Sequence, residues 1–388
     1  MKSPPRHPLI ILMVAAAVTA TAMAALSLLS HLSLDALTLE MVRELAVVLQ
    51  GWATNPDVLA VLLQGSARPP VEGKPVARHF CAGGDIRFMH DAALVGDPAV
   101  EDFFTEEYAL DHALHVYPKP TVAWMEGITM GGGMGLAQAC ALRVATASVR
   151  MAMPETRIGL FPDVGGGHFL SRLVGHAGEY LGVVGPHLHV TDALTLGLAD
   201  VHAEAGCLST FLENLRSSAA RTSGELIARL RAHVDLHPLT RLPDATVTAR
   251  LDDIDRHFGL PTLRDIVASL EAAQADGDAW AEETLHHMAG HSPLMMAVTL
   301  EQIRRARSMP LAEVFRMERT MVRHCFQIRT GAASETVEGV RALVVDKDHA
   351  PRWNPPTLGE VGADQVEAFF EAVWPPYAHP LRDLHDPI

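Results

Sequence analysis

The stretch Thr129-Met130-Gly131-Gly132-Gly133-Met134-Gly135, followed by Met153-Pro154-Glu155-Thr156 and then Phe161-Pro162-Asp163-Val164-Gly165-Gly166-Gly167-His168, decides the reading of this chain. Two glycine clusters bracket two carboxylates, Glu155 and Asp163, spaced eight residues apart in a mostly apolar segment. A glycine triplet after an apolar strand lets the backbone approach a ligand closely and opens a helix whose N–H groups point outward. A carboxylate set among Met, Ile, Leu and Phe is a candidate for a raised pKa and for acid, base or nucleophile work. The expectation is a segment that polarises a carbonyl and presents a carboxylate to it. Each piece also has a bland reading. Glycines serve close helix–strand packing, a lone Glu is most often an exposed loop acid or N-cap, and an Asp before a glycine run often bonds its own turn.

Working outward, a second small-residue turn occurs at Phe80-Cys81-Ala82-Gly83-Gly84-Asp85-Ile86-Arg87. An oxyanion site needs two converging N–H donors, and this turn is the candidate for the second. Asp85 near the start of a helix suits its positive end. Around these turns, apolar spacing predicts a helix from 37 to 49, capped by Asp35 or Thr38, and a buried strand over 58–63. A helix is expected over 103–116, stopped by Pro118 and Pro120, and strands are expected at 121–125 and 142–146 around a helix at 132–140. Strands alternating with helices point to an α/β fold with parallel strands. Beyond residue 191 helical patterns dominate, over 208–231, 261–289, 293–307 and 311–325.

The 388 residues, 48% hydrophobic and 20% charged, are enough for a large core in one domain or two. A net charge of −15 argues against a nucleic-acid binder, which needs a basic face. Four dispersed cysteines without a CxxC pair argue against a disulfide framework or zinc site and fit a reducing compartment. Between Arg6 and Asp35 there is no Asp, Glu, Lys or Arg. The apolar run at 9–29 reads either as a signal peptide or anchor, or as buried opening strands.

The chain lacks a G-x-S-x-G elbow, a G-x-x-x-x-G-K-[ST] phosphate loop, a G-x-G-x-x-G fingerprint and an H-E-x-x-H pair, despite 21 histidines. A serine hydrolase of the α/β type, a P-loop NTPase, a dinucleotide enzyme and a metalloprotease are therefore disfavoured. No metal is expected.

These motifs resemble those of the crotonase (enoyl-CoA hydratase/isomerase) superfamily and, within it, the branch of 3-hydroxyisobutyryl-CoA hydrolases. The likeness runs from about residue 34 to 353. It includes Gly127-Ile128-Thr129, Glu106-Glu107-Tyr108, Ser292-Pro293, Glu338-Gly339-Val340-Arg341-Ala342 and Asp346-Lys347-Asp348. It implies an α/β, crotonase-like spiral of ββα turns over 31–205, after an apolar segment at 1–30, with a mainly helical region at 206–388 completing the site. It implies further that the N–H groups of Gly84 and Gly132 form an oxyanion hole. Glu155 would then be the catalytic glutamate, Asp163 the aspartate that handles the substrate hydroxyl or a proton, and Glu107 a substrate contact.

A hydratase of this family holds water with two glutamates, and the first would stand at Gly135, which has no side chain. The resemblance therefore favours hydrolysis of a short 3-hydroxyacyl-CoA, as in valine breakdown. A hydratase or isomerase of the same fold and a non-catalytic acyl-CoA-binding protein stay open as alternatives. No cofactor is implied, since coenzyme A is part of the substrate. Arg87 and Lys119 are candidate cations for its phosphates. Relatives often assemble as trimers or their multiples, so a homo-oligomer is admitted. The loop at 66–78 is longer than is usual in the family.

Overall fold

Residues 58–65 send alternate side chains into two different apolar cores, and this makes the architecture layered. The computed structural model of the chain describes residues 12–14, 22–28, 36–65, 78–217 and 220–387. In order these form β1 (Leu12–Val14), β2 (Ala22–Leu28), α1 (Leu39–Thr54), β3 (Val58–Gly65), α2 (Ile86–Val95), α3 (Ala99–His115), β4 (Thr121–Met125), β5 (Ile128–Met130), α4 (Gly132–Gln138), β6 (Leu142–Ala145), β7 (Arg150–Ala152), α5 (Gly166–Ser171), α6 (Ala177–Val184), α7 (Val190–Thr195) and β8 (Val201–His202). The later elements are helical: α8 (Cys207–Ser217), α9 (Ser223–Asp235), α10 (Leu251–Phe258), α11 (Leu263–Ala275), α12 (Ala279–Met288), α13 (Pro293–Ala306), α14 (Leu311–Arg323), α15 (Glu335–Val340) and α16 (Ala363–Glu367).

The larger sheet has the order β1-β2-β3-β4-β6-β8, and β5 pairs with β7 in a second, two-stranded sheet. β1 runs antiparallel to β2, and the other neighbours run parallel. β4 enters the large sheet, β5 the small one, and α4 follows; β6 and β7 repeat the step, with a 3₁₀ turn (Glu155–Ile158) in the helix position. This is the spiral of ββα turns that the resemblance implied.

Because strand side chains alternate faces, Ala60, Leu62, Val122, Trp124, Leu142 and Val144 pack on Leu208, Phe211, Leu226 and Leu230 of α8 and α9. Val61, Leu63, Ala123 and Met125 point the other way, into the core shared with α1, α3 and the C-terminal helices. Helices thus cover both faces of the sheet, which is why its strands are apolar throughout.

The described backbone within the apolar N-terminal run is strand, at Leu12–Val14 and Ala22–Leu28. The signal-peptide or anchor reading otherwise falls outside the described residues, as does the 66–77 part of the loop. Among the described residues, no helix is long and apolar enough to cross a membrane.

Several helix boundaries differ from expectation, three of them for a clear local reason. α3 starts at Ala99, ahead of 103, where Asp97 accepts a hydrogen bond from the Ala99 N–H at 2.9 Å. The 261–289 pattern breaks at Gly277, held at φ 92°, after which Asp278 caps α12 by accepting from the Trp280 and Ala281 N–H groups. The 208–231 pattern is likewise two helices, with Thr222 capping the second.

Candidate active site

The two small-residue turns meet. Cys81 bridges Thr129 and Leu37 bridges Gly84 in parallel fashion, which lays the 81–84 turn alongside the start of α4. A methyl group built on Gly132 would sit 3.6 Å from the Gly84 nitrogen. Neither the Gly84 nor the Gly132 N–H finds an acceptor among the described residues. Gly132 opens α4, where such orphan donors are expected. Gly131 precedes it at φ 51°, a conformation cheap only for glycine.

The first glycine cluster divides its work. Gly131 and Gly132 line the cavity. Gly133 packs on the backbone of Cys81, where a Cβ would come within 2.3 Å of a carbonyl oxygen. The second cluster does not line the cavity. Gly167 abuts Glu318, Ala306 and Val314, and Gly165 faces the Phe315 ring, so these glycines serve close packing against α13 and α14.

Around the paired N–H groups lies a cavity of about 800 Å³, lined among others by Gly84, Met89, Phe104, Glu107, Gly132, Glu155, Leu160 and Asp163. All five residues singled out from sequence are brought to it. Glu155 leads the 3₁₀ turn after β7, and its Oε1 would lie 3.2 Å from a Cβ on Gly131. Glu107 comes from α3, and its Oε1 would be 2.7 Å from a Cβ on Gly132. Asp163 accepts a 2.6 Å hydrogen bond from the Tyr108 hydroxyl.

The C-terminal region grips the Glu155 turn. The Ser292 N–H donates to the Thr156 carbonyl at 3.0 Å, and the Ser292 hydroxyl donates to Glu335. Thr336 donates to the Gly159 carbonyl at 2.7 Å. Gly339 lets α15 approach so closely that a Cβ there would be 2.3 Å from the Ile158 carbonyl oxygen. Beyond α15, Arg341 pairs with Glu338, Asp346 and Asp348 and shapes the turn that brings Val344 and Lys347 to the cavity.

The site is an acid cluster in apolar surroundings. Burial pushes the Glu155 carboxyl well above the usual carboxylate range, and the charge of Asp163 adds to this. Burial, then Asp163, does the same to Glu107 and to Asp111, one helical turn on from Glu107. Asp163 is pushed up by burial to about 6, the Tyr108 hydroxyl working against the rise. Glu155 Oε2, Glu107 Oε1 and both Asp111 oxygens are buried without a partner among the described residues. Such groups carry protons or await a ligand.

At Gly135 the structure supplies what the sequence could not. A Cβ there would lie 2.6 Å from the Val164 Cβ and 3.0 Å from Asp111 Oδ2. The place of a second water-holding glutamate is filled. Val164 achieves this at φ 53°, a left-handed conformation that costs a β-branched residue on the order of 1–3 kcal/mol.

Of the two expected cations, Arg87 lines the cavity and donates to the Val344 carbonyl at 3.1 Å. Lys119 does not reach it; its ammonium donates to the Trp52 and Asn55 carbonyls at the end of α1. Lys347 lines the cavity in its stead. Sequence reasoning also missed Tyr108, Asp111 and Glu318. Asp111 carried a signal, since it lies four residues after Glu107 on the apolar face of one helix.

The sequence profile of the Enoyl-CoA hydratase/isomerase family matches residues 23–370. The mitochondrial 3-hydroxyisobutyryl-CoA hydrolase of Gallus gallus is 34% identical over 338 residues, covering 87% of this chain and 83% of that protein. The enzyme of the same name from Homo sapiens is 34% identical over 340 residues, covering 88% and 84%. Among solved structures, a carnitinyl-CoA dehydratase from Mycobacterium thermoresistibile superposes with a TM-score of 0.77 at 32% identity, covering 91% of this chain and 95% of that one. An enoyl-CoA hydratase from Rhodobacter sphaeroides superposes equally well, at 31% identity and 90% and 95% coverage. With its spiral of ββα turns and its paired N–H groups beside buried carboxylates, the chain belongs to the enoyl-CoA hydratase/isomerase (crotonase) family.

Proposed function

We infer that the protein hydrolyses a short 3-hydroxyacyl-CoA thioester, foremost 3-hydroxyisobutyryl-CoA to 3-hydroxyisobutyrate and free CoA, a step of valine breakdown. The names of the curated relatives support this, and the observation that carries it is the filled space at Gly135. A hydratase needs a second carboxylate on its water; here Gly135 stands at that position, Val164 fills the space its side chain would take, and the neighbouring Asp111 does not line the cavity. The neighbours named as a hydratase and a dehydratase match the alternative of the same fold, hydration of an enoyl-CoA, which turnover of crotonyl-CoA tests.

In this reading the thioester oxygen takes hydrogen bonds from the Gly84 and Gly132 N–H groups, which stabilise the charge that develops in the transition state. Glu155, poised beside that hole, acts on the carbonyl carbon. Either its oxygen attacks, forming an anhydride as the C–S bond breaks and CoA thiolate leaves, with water then cleaving the anhydride, or it takes a proton from a water that attacks directly. Asp163, held by Tyr108, meets the substrate hydroxyl or returns a proton to the thiolate, and Glu107 contacts the substrate. Water is the only co-reactant, so the chemistry calls for no cofactor beyond the CoA of the substrate. Arg87 and Lys347 are the basic residues of the cavity lining among the described residues, and we assign them to the phosphates. Four buried thiols and the mitochondrial relatives fit a reducing compartment, cytoplasm or mitochondrial matrix.

The test is thiol release from 3-hydroxyisobutyryl-CoA, followed with a thiol reagent. Release is expected; no release alongside turnover of crotonyl-CoA overturns the reading. Label found in the Glu155 peptide by mass spectrometry after a single turnover in ¹⁸O-water identifies the anhydride route with water attacking the Glu155 carbonyl, because direct water attack on the thioester leaves Glu155 unlabelled.

A further inference from the structure

Asp163 sits on a strained loop, and two side chains from far along the chain hold that loop without touching the cavity. Glu318 of α14 accepts hydrogen bonds from the Gly165 N–H at 2.8 Å and the Gly167 N–H at 2.9 Å, across 153 and 151 residues. Gln302 of α13 donates to the Pro162 carbonyl at 2.7 Å and to Glu318 Oε1 at 3.1 Å. Both are fully buried, and neither lines the cavity. Between their attachment points lie Asp163, Val164 at φ 53° and Gly165 at φ 81°. Strained backbone persists only where its surroundings over-determine it. Here the determinants are four hydrogen bonds, three of them on one carboxyl group.

We propose that Glu318 and Gln302 are positioning residues for Asp163: they clamp residues 162–167, keep Val164 left-handed, and so hold the Asp163 carboxyl on Tyr108 and facing the cavity. The proposal rests on the hydrolase reading, in which Asp163 meets the substrate or its proton. Releasing the clamp lets Val164 relax towards negative φ. That swings Asp163 away from Tyr108 and withdraws the valine side chain from the space beside Gly135. Substrate binding by the oxyanion turn and the 84–91 segment is left in place.

Glu318→Gln is the first test, because an amide nitrogen cannot accept, so at least one glycine N–H loses its partner. Displacement of a catalytic group by about 1 Å costs on the order of 10²-fold. We therefore expect kcat to fall by about 10- to 100-fold while KM stays within about 2-fold, the mark of an interaction lost only in the transition state. Val164→Gly supplies the discriminating background, since glycine takes positive φ without strain. The loss caused by Glu318→Gln should shrink there. A crystal structure of the Glu318→Gln enzyme should show Val164 out of the left-handed region and the Tyr108–Asp163 hydrogen bond broken. Should that variant not fold, Gln302→Met, which removes the bonds to Pro162 and Glu318, carries the same measurements. Unchanged kcat with a lowered melting temperature, or an equal loss in both backgrounds, overturns the clamp. Failure of the wild-type protein to release thiol would instead count against the hydrolase reading, and the crystallographic readout would still decide the clamp.

Discussion

Glu155 and Asp163 differ in how their surroundings bind them, and this separates their proposed jobs. Glu155 keeps one buried oxygen without a partner and is driven upward chiefly by burial, so its carboxyl acts as a strong base or nucleophile once ionised. Glu155→Gln keeps shape and removes that chemistry. Thiol release should drop by about 10²–10⁴-fold, the usual worth of a positioned acid or base, in a steady-state assay. Full activity in this variant would reassign the role. Asp163 is also raised by burial, to about 6, but the Tyr108 hydroxyl donates to it, works against the rise and favours the charged form. Tyr108→Phe removes that donor, so the Asp163 pKa rises above about 6. A step needing ionised Asp163 then moves its acid limb to higher pH, by about 0.5 to 1 unit for one hydrogen bond. The pH profile of kcat/KM checks this, and an unmoved limb would detach Asp163 from the rate.

At the scale of elements, buried carboxylates act as pins between segments distant in sequence. Asp192 in α7 is fully buried and accepts from the N–H groups of Thr246, Val247 and Thr248 and from the Thr246 and Thr248 hydroxyls. Burial pushes its carboxyl up, but these donors win and hold it below the usual carboxylate range. A depressed folded pKa contributes stability that is present above the unfolded value and lost as pH falls through the folded one. Asp192→Ala leaves the donors unpaired and should cost about 3 kcal/mol or more in urea unfolding near neutral pH. The loss should shrink in acid. A change below 0.5 kcal/mol would show that the 246–248 loop finds other partners.

Over the whole molecule the buried acids and buried histidines pull stability in opposite directions with pH. Burial lowers His115, His168 and His291 to about 4, so stability from them rises with pH up to their unfolded pKa near 6.5. Burial raises Glu318 to about 8, its glycine and Gln302 donors notwithstanding, and a raised carboxyl loses stability as pH climbs from its unfolded value of 4.5 to the folded one. Above about pH 7.2 the histidines are mostly neutral in both states, while Glu318, pushed up to about 8, still holds most of its proton in the fold. Stability should therefore decline there by about 1.4 kcal/mol per pH unit for that group alone. The raised carboxyls of Glu107, Asp111 and Glu155 act with the same sign. Urea titrations at pH 7.2, 7.6 and 8, above the histidine range, test this, and a flat or rising trend would mean the cluster is ionised in the folded protein.

The cavity collects Gly84, Glu107, Gly132, Glu155 and Asp163; Gly84, Gly132 and Glu107 were implied by the family resemblance, whereas the sequence by itself determined the α/β class, the two small-residue turns and the carboxylates Glu155 and Asp163. Their signals are local: glycine where backbone must run close or left-handed, caps at helix starts, and apolar strands whose two faces are both covered. The function of the second glycine run was not legible, because Gly165 and Gly167 answer to α13 and α14 and not to a ligand. Nor was the fate of Lys119, spent on capping carbonyls at the end of α1. Only the tertiary structure decided that Val164 and Asp111 close the space at Gly135, that Tyr108 holds Asp163, and that Glu318 and Gln302 clamp the loop between them. The physical reason is distance along the chain. These contacts join residues dozens to more than a hundred positions apart, where no periodicity links the partners, and their energies depend on burial that exists only once the helices have docked.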